Sequence, residues 1–188
     1  MQVDANTLRK GHVVDYNGKL WGVIKSEIMI PGKGNAVIQV EMRDVRTGIK
    51  TNVRFRTQET IERVQLHEHE MQFLFSAGDD YTFMDQETFE QLTISKDVIG
   101  EPVVFLTESM VCKVMTYEGA ALSVELPATV VLELVEADPV VKGQTASSSY
   151  KPAKLSNGVR ILVPPFIEAG TRVVVNTSDG SYIERARD

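Results

Sequence analysis

The sequence predicts a mainly all-β protein built from small β-barrels. Short runs rich in β-branched and aromatic residues recur along the 188 residues, and turn-forming pairs separate them at short intervals. The clearest pair is Asn17–Gly18, because Asn-Gly is the strongest short signal of a β-hairpin. The other turn signals are Thr47–Gly48, Gly78–Asp80, Glu118–Gly119, Asn157–Gly158 and Asp179–Gly180. Many short strands at such spacing are typical of small barrels or sandwiches.

One segment has the pattern of a helix rather than of a strand. Apolar residues recur on one face of Gln86–Ile94, and Asp85 is a residue type that favours the N-terminal cap. We therefore expect a short helix there. The segment Glu101–Ser109 fits a helix or a strand equally well, and the sequence leaves that choice open.

A long polar loop is predicted over Asp138–Lys154, which is rich in Gly, Ser and Pro. It separates two apolar runs, residues 130–135 and 159–163. Both runs are rich in Val, Ile and Leu, so we expect them to pair as strands.

The distribution of charge divides the chain into three modules of about 60 residues, a size near the lower limit for a single core. Residues 1–63 contain 11 basic and 7 acidic residues, residues 64–126 contain 2 and 12, and residues 127–188 contain 7 of each. The overall net charge of -6 therefore hides a basic first module. Such asymmetry predicts that this module faces a polyanion.

The composition is that of an ordinary soluble globular protein, with 43% hydrophobic and 24% charged residues. No apolar run approaches the roughly 18 residues of a membrane span, and the N-terminus lacks a secretory signal pattern. We therefore expect a cytoplasmic protein without a membrane partner. Cys112 is the single cysteine and lies in an apolar run, which predicts a core thiol in a reducing compartment.

The most distinctive short motif places Lys33 between two glycines and after Pro31. Pro31 fixes φ, while Gly32 and Gly34 permit positive φ, so a tight reversal with Lys33 at its apex is predicted between two strand-like runs. Arms of about six residues would carry the lysine about 20 Å from the domain. A phosphate-binding P-loop is excluded, because that motif has four residues between its glycines and then opens a helix. An ordinary exposed turn remains the alternative.

Basic residues on two neighbouring runs form a second candidate site. Arg54 and Arg56 alternate along one predicted strand, and Arg43 and Arg46 lie on the preceding run. The planar guanidinium group bonds phosphate oxygens in pairs, which suits it to RNA. Together with the cationic hairpin, these residues predict an RNA-facing surface, with a merely solvated strand face as the alternative.

The sequence offers no convincing catalytic, metal or cofactor site. His67 and His69 share a strand face, but no third ligand lies nearby, so we interpret them as a solvated face. The carboxylates of the middle module occur in turns, where Asp and Glu are favoured for structural reasons.

Four motifs in fixed order carry a resemblance to a known family. They are Pro31–Gly34; Gly78–Asp85 with Thr88–Leu92; Lys151–Ala153 through Asn157–Gly158 and Val163–Gly170; and Gly180–Arg185. With these motifs the chain resembles bacterial elongation factor P over its whole length. The resemblance implies an SH3-like (KOW-type) domain at 1–63 and two OB-fold domains at 64–126 and 127–188. It also implies an L-shaped arrangement that imitates transfer RNA.

The resemblance further implies a monomeric, non-enzymatic factor that binds both ribosomal subunits between the P and E sites. Its role would be to promote peptide bond formation when consecutive prolines stall synthesis. In the family, the lysine matching Lys33 reaches toward the CCA end of the P-site tRNA and is often lengthened by a modifying enzyme. Arg54 and Arg56 match the region that contacts tRNA. The residues expected on the small-subunit side are Gly143, Gln144, Thr145, Tyr182 and Arg185.

Two positions depart from the family pattern. Ile30 stands where many relatives have a basic residue, which leaves the modification of Lys33 open. Gln144 stands where many relatives have Asp. A general single-stranded RNA-binding OB protein is the alternative function, but such proteins place aromatic residues within basic grooves, a pattern that this sequence lacks.

Overall fold

The computed structural model describes residues 1–139 and 149–187. These residues form three β-sheets, and the mainly all-β prediction is confirmed. The helical elements in the described ranges are short: α1 (Lys96–Ile99) and two 3-10 helices, Ala5–Thr7 and Glu101–Phe105. No helix among them is long and apolar enough to cross a membrane.

The first sheet contains the strands from the N-terminal part of the chain. They are β1 (Gln2–Asp4), β2 (Val13–Tyr16), β3 (Lys19–Met29), β4 (Val37–Asp44), β5 (Lys50–Arg56) and β6 (Thr60–Val64). Their order in the sheet is β1-β6-β2-β3-β4-β5. The predicted Asn17–Gly18 hairpin is confirmed, because both residues have positive φ (52° and 75°) and Tyr16 pairs with Lys19.

Alternate residues of β4 form the centre of the first core. Ile38, Val40 and Met42 are fully buried, as the period of two along a strand requires. Leu8, which follows the first 3-10 helix, is also fully buried against this cluster. The opposite face of the same strands is therefore the one available to a partner.

The second sheet contains β7 (His67–Ala77), β8 (Asp80–Asp85), β9 (Gln91–Ser95), β10 (Val111–Tyr117) and β11 (Ala120–Glu125). Their order is β11-β10-β7-β8-β9. Phe83 is fully buried, and its ring centroid lies 5.5 Å from that of Phe73. Cys112 is 1% exposed, and burial raises the pKa of its thiol to about 11, which confirms the core thiol.

The predicted helix over Gln86–Ile94 is wrong. A turn follows Asp85, and β9 begins at Gln91. The side chain of Asp85 does accept bonds from the next backbone N–H groups, as expected, but Phe89 has φ +60°, which ends any helical path. The same aspartate chemistry caps helices and turns, so the motif alone did not distinguish them.

The third sheet contains β12 (Thr129–Ala137), β13 (Lys151–Leu155), β14 (Arg160–Val163), β15 (Arg172–Asn176) and β16 (Tyr182–Arg185). Their order is β14-β13-β12-β15-β16. The predicted pairing of residues 130–135 with 159–163 is wrong, because β13 lies between them. Pro152 made this segment look like a loop, but it lies opposite Leu162 in the ladder.

The ambiguous segment Glu101–Ser109 begins as a 3-10 helix, with Pro102 in its first turn. Val103 and Phe105 are buried.

By internal contacts the chain divides into two compact units. The first is Met1–His67 with Thr116–Leu122, and the second is Glu68–Met115 with Ser123–Asp188. The three domain boundaries expected from the sequence stay a prediction.

Candidate functional site

The loop that carries Lys33 connects β3 to β4. The two strands pair as far as Met29 and Val37, so residues 30–36 form the connection. Lys33 lies in its middle and is exposed. The sequence prediction of a lysine at the apex of a strand connection therefore agrees with the geometry.

The arms of this hairpin are not free, contrary to expectation. β5 lies beside β4 to the end of the ladder, where Arg56 pairs with Val37, and Ile38 is fully buried. Only the connecting residues 30–36 therefore extend beyond the sheet. This support could not be predicted from the motif, because the β4–β5 pairing is not local to it.

The two glycines of the loop have different conformations. Gly34 has φ +117°, a region that other residues rarely adopt, whereas Gly32 is not among the residues with positive φ. A Cβ added to Gly32 would have no atom within 4 Å. Of the two positions, only that of Gly34 has a backbone conformation that requires a glycine.

The apolar side chains before the loop are unusually exposed. Ile28, Met29 and Ile30 are 48%, 42% and 81% exposed. Ile30, which precedes Pro31 directly, has the largest exposed fraction of the three. The approach to the lysine is thus apolar and uncharged.

Arg54 and Arg56 lie on the outer face of the first sheet at the loop end. Both are exposed, with Phe55 buried between them, and they lie opposite Gln39 and Val37. Two residues along a strand are separated by about 7 Å. The sheet therefore brings both arginines close to the base of the Lys33 loop.

Arg43 and Arg46 lie at the other end of β4. Arg43 pairs with Lys50, six residues from the Val37–Arg56 pair, which corresponds to about 20 Å along the strand. Arg46 is in the following turn. The four arginines predicted as one RNA-facing group therefore form two groups, and Arg43 opposes a like charge, which is unfavourable for folding alone.

Lys25 is a basic residue of the outer face that sequence reasoning missed. Val23 lies opposite the buried Met42, and Lys25 lies opposite Glu41, so Ile24 is an extra residue in a β-bulge. The bulge inverts the in–out alternation and turns Lys25 outward. A regular strand pattern would have placed it inward.

The cations at the loop end are not used in ion pairs. Within residues 1–139 and 149–187, the salt bridges involve none of Lys33, Arg54 and Arg56. Lys25, in contrast, lies 3.8 Å from Glu27, a highly exposed pair that contributes little to stability. Cations without a structural partner are available for an anionic ligand.

A polar cavity of about 730 Å³ lies beside the loop. Asn35 and Ala36 line one side, and residues 56–59 line the other. The backbone N–H of Arg56 donates to Glu59 Oε2 at 3.2 Å, which holds this carboxylate at the wall. The cavity gives a polar group room beside the arginine and the loop.

Tyr182 and Arg185 share one face of the third sheet, although their spacing predicts opposite faces. Tyr182 lies opposite Val175 and Arg185 opposite Val173, because Ile183 is an extra residue in a bulge. The Arg185 guanidinium is 5.1 Å from the Phe166 ring centroid, within the range of a cation–π contact. Burial raises the pKa of the Tyr182 phenol.

The predicted residues Gly143, Gln144 and Thr145 lie outside the described residues.

The two histidines of β7 have different environments. His67 is exposed, whereas His69 Nδ1 lies 3.0 Å from Oδ2 of the buried Asp85. The interpretation as a solvated face therefore agrees with His67 and only in part with His69, which is partly exposed but has a carboxylate partner. Among the residues that the structure describes, no group of three His, Cys, Asp or Glu side chains is placed to bind a metal.

Comparison with family models identifies the class of protein. A KOW-like domain model matches residues 4–61, an OB domain model matches 66–124, and a C-terminal domain model matches 130–185. The chain is thus a modular KOW/OB protein of the kind used in translation. All three models describe elongation factor P, and the chain belongs to the elongation factor P family.

Full-length relatives agree with this assignment. The chain is 65% identical to elongation factor P of Rhodospirillum centenum over 100% of both chains. It is 55% identical to that of Gluconobacter oxydans, again over 100% of both. Among solved structures, "Eukaryotic translation initiation factor 5A from Methanococcus jannaschii" superposes with a TM-score of 0.50 at 22% identity. That match covers 68% of this chain and 92% of the other and shows a shared fold.

Proposed function

We propose that this protein is a translation elongation factor that binds the ribosome between the P and E sites. It stimulates peptide bond formation at consecutive prolines by positioning the P-site peptidyl-tRNA. The observation that carries the proposal is the exposed Lys33 at the end of a sheet whose outer face presents Arg54 and Arg56, both without an ion-pair partner among the described residues. Family membership supports the broader role in translation.

The chemistry of the loop end supports contact with the backbone of RNA. Guanidinium groups bond phosphate oxygens in pairs, and an ammonium group supplies a compact point charge. Because β5 pairs with β4 up to Val37, the backbone that carries Arg54 and Arg56 is held beside the base of the Lys33 loop. Such preorganisation reduces the entropy lost when the tRNA end binds.

The proposed mechanism is positional. Proline restricts the backbone of the peptidyl-tRNA and makes it a poorly oriented donor. Holding reactants in a productive geometry contributes up to about 7–11 kcal/mol in well-aligned reactions. Lys33 acts here as a positioned cation among phosphates, and no group of the factor transfers a proton. The factor is therefore proposed to be non-enzymatic.

A modification that lengthens Lys33 is part of the proposal. The exposed lysine is accessible to a modifying enzyme, and the exposed Ile30 gives that enzyme an apolar residue to recognise instead of a charge. The intact mass of the natively expressed protein tests this point. A mass above that of the bare sequence is expected, and a mass equal to it would exclude the modification.

The remaining contacts are proposed on the small-subunit side. Tyr182 and Arg185 share a face, which suits a joint contact, and residues 143–145 are proposed to lie near the E-site codon. A monomeric state and a cytoplasmic location complete the proposal. A Tyr182→Ala/Arg185→Ala variant that binds ribosomes as tightly as the wild type would contradict the small-subunit contact.

The central experiment is in vitro translation of a reporter with a run of prolines. The protein isolated from its source is expected to relieve the stall. The Lys33→Ala variant is expected to stimulate translation through the prolines at least tenfold less. The two glycines provide a matched pair. Gly34→Ala distorts the loop and lowers stimulation, whereas Gly32→Ala, with open space and no positive φ, leaves it nearly unchanged.

Two outcomes would overturn the proposal. One is the absence of stall relief by the natively isolated wild type. The other is equal binding of ribosomes and of unrelated single-stranded RNA, with Lys33→Ala unaffected in both, which would favour the general RNA-binding alternative.

A further inference from the structure

A groove far along the chain from the Lys33 loop is the second feature of the molecule that has the form of a binding site. It lies within the unit formed by Glu68–Met115 and Ser123–Asp188 and has a volume of about 620 Å³. This volume falls in the range of about 300–1,000 Å³ that is typical of ligand sites. Its walls are the 3-10 helix Glu101–Phe105, the β13–β14 hairpin and residues 177–182.

Two contacts hold the walls of the groove together. Asn157 Nδ2 donates a hydrogen bond of 2.8 Å to the backbone carbonyl of Val104. Phe105 packs so closely on Gly180 that an added Cβ would lie 3.3 Å from its ring. The groove is therefore formed before any ligand binds.

The backbone of the third sheet is not available to a ligand at this groove. The sheet curls until β14, at one end of the strand order, lies beside β16 at the other end. Among the described strands, β14 therefore leaves no open edge to which an extended chain could add. A ligand of the groove is recognised by side chains and is a compact group rather than an added strand.

Much of the exposed surface of the groove is apolar or aromatic. Val104, Tyr150 and Leu162, which line it, are 47%, 54% and 58% exposed. Tyr182 lines it as well. Burial raises the pKa of the Tyr182 phenol, and Tyr150 adds to that shift, so the two phenols lie within electrostatic reach of one another. The groove therefore suits a ligand with an apolar body, which packs against aromatic rings and aliphatic side chains.

Charged groups of both signs line the groove and do not neutralise one another. Glu101 and Asp179 are acidic, Arg160 is basic, and all three are exposed. Within the part of the chain that the structure describes, none of the three takes part in a salt bridge. Each is therefore available to an opposite charge on a ligand.

The turn that carries Asp179 holds its carboxylate in place. Oδ1 accepts hydrogen bonds from the hydroxyl and the backbone N–H of Ser181, at 2.7 and 2.8 Å. These bonds lower the pKa of the Asp179 carboxyl, so the group is ionised at neutral pH. A carboxylate that is already ordered loses less entropy when it binds a cation.

The pattern of charge narrows the class of ligand. An RNA backbone or a fatty acid carries only negative charge and would be repelled by the two carboxylates. An apolar cation would leave Arg160 without a partner. A ligand that carries both charges on an apolar body complements every part of the groove.

We propose that this groove binds a small zwitterion with an apolar body, of the class of an apolar amino acid or a short apolar peptide with free termini. Its ammonium group lies toward Glu101 and Asp179, and its carboxylate pairs with the guanidinium fork of Arg160. Its side chains pack on Tyr150 and Leu162. This site goes beyond the proposed function in translation and does not depend on the role of Lys33.

The probe is the dipeptide Leu-Phe with free termini, titrated into the full chain and followed by amide NMR shifts. The shifts are expected to centre on Val104, Leu162 and Tyr182. Three altered probes each remove one feature of the ligand. Leu-Phe amide lacks the negative charge, N-acetyl-Leu-Phe lacks the positive charge, and Ser-Ser lacks the apolar body. Each is expected to bind at least fivefold more weakly than Leu-Phe.

Variants of the protein assign each charge of the probe to its partner. Arg160→Gln should weaken binding of Leu-Phe at least fivefold, yet leave binding of Leu-Phe amide, which has no carboxylate, within twofold of the wild type. Asp179→Asn keeps Oδ1 as the acceptor for Ser181. It should weaken binding of Leu-Phe at least threefold and leave N-acetyl-Leu-Phe within twofold. As a matched control, Arg172→Gln removes the same charge from the same sheet outside the groove and should change neither.

Several outcomes would overturn the proposal. They are no binding of Leu-Phe, equal binding of all four probes, shifts centred outside the groove, and tighter binding of nine-residue oligouridine than of Leu-Phe. Equal losses of Leu-Phe and Leu-Phe amide in Arg160→Gln would contradict the pairing with the carboxylate. Lys33→Ala should bind Leu-Phe as the wild type does, so failure of this site and failure of the proposed function in translation are separate results.

Discussion

The turn that follows β4 and the turn that follows β8 have the same hydrogen bonds but differ at one backbone position. Asp44 Oδ1 accepts bonds from the backbone N–H groups two and three positions further on, at 2.8 and 3.2 Å. Asp85 Oδ1 does the same at 2.8 and 3.1 Å. Four residues after each aspartate the chain takes a positive φ, at Gly48 (75°) in the first turn and at Phe89 (60°) in the second.

The difference shows that the aspartate determines this turn, and that glycine only makes it easier. A bulky residue with positive φ is strained, and Phe89 is 68% exposed, so burial does not offset the strain. The second aspartate also has a closer partner. His69 Nδ1 lies 3.0 Å from Asp85 Oδ2, whereas Lys19 Nζ lies 3.9 Å from Asp44 Oδ2.

Removal of the aspartates is expected to have the largest effect. Asp44→Ala and Asp85→Ala each leave two turn N–H groups without their acceptor, and Asp85→Ala also removes the partner of His69. We expect Asp85→Ala to lower the free energy of unfolding more than Asp44→Ala, as measured by urea denaturation. Equal losses would show that the His69 contact adds nothing.

Exchange of the positive-φ residues is expected to have the next largest effect. Gly48→Phe introduces backbone strain of about 1–2 kcal/mol, which the reduced entropy of the unfolded chain offsets by about 0.5–1 kcal/mol, and a Cβ there meets no atom within 4 Å. Phe89→Gly relieves similar strain but adds about 0.5–1 kcal/mol of unfolded-state entropy, so the net gain is at most about 1.5 kcal/mol. Thermal unfolding of both variants checks whether Gly48→Phe lowers the stability and Phe89→Gly raises it. A loss of stability in Phe89→Gly would mean that the phenyl ring makes a stabilising contact.

Acid is expected to weaken both turns. Hydrogen bonds from the backbone N–H of Arg46 lower the pKa of Asp44, and those from Glu87 and Thr88 lower the pKa of Asp85. The stabilisation from each is complete above the unfolded pKa of about 4 and is lost as pH falls through the lower folded pKa. Urea denaturation from pH 6 to pH 2 checks this. Asp44→Asn and Asp85→Asn should each flatten the pH dependence, and an unchanged slope in both would contradict the assignment.

The threonine bonds are expected to have the smallest effect. Thr47 Oγ1 accepts from Ile49 N at 3.4 Å and Thr88 Oγ1 from Glu90 N at 3.3 Å, both long and exposed. Thr47→Val and Thr88→Val should each cost about 0.5 kcal/mol or less. Clearly unequal losses of stability in the two variants would show that the turns differ in more than the residue with positive φ.

The sequence predicted those features of the fold that depend on neighbouring residues. Asn17–Gly18 formed the expected hairpin, because its two residues supply the positive φ that the turn needs. The helix expected over Gln86–Ile94 failed, because nothing in the pattern showed that Phe89 would take a positive φ. The β13 strand was missed because Pro152 is typical of loops, and only its place in a ladder makes it acceptable.

The candidate site was predictable to a similar degree. The loop around Lys33 followed from its glycines and proline, but the support from β5 depends on a non-local pairing. Lys25 was missed, and the shared face of Tyr182 and Arg185 was not foreseen, because each depends on a β-bulge. A bulge shifts the alternation by one residue and leaves no clear mark in the sequence.

The burial of Cys112 makes the protein suited to site-specific labelling. It is the single cysteine in the sequence, and with a pKa of about 11 only roughly one thiol in ten thousand is ionised at neutral pH. An Asn35→Cys variant would therefore carry the only reactive thiol, two residues from Lys33, with the native cysteine left in place. A fluorophore attached there would report on the surroundings of the loop while the lysine itself remains free.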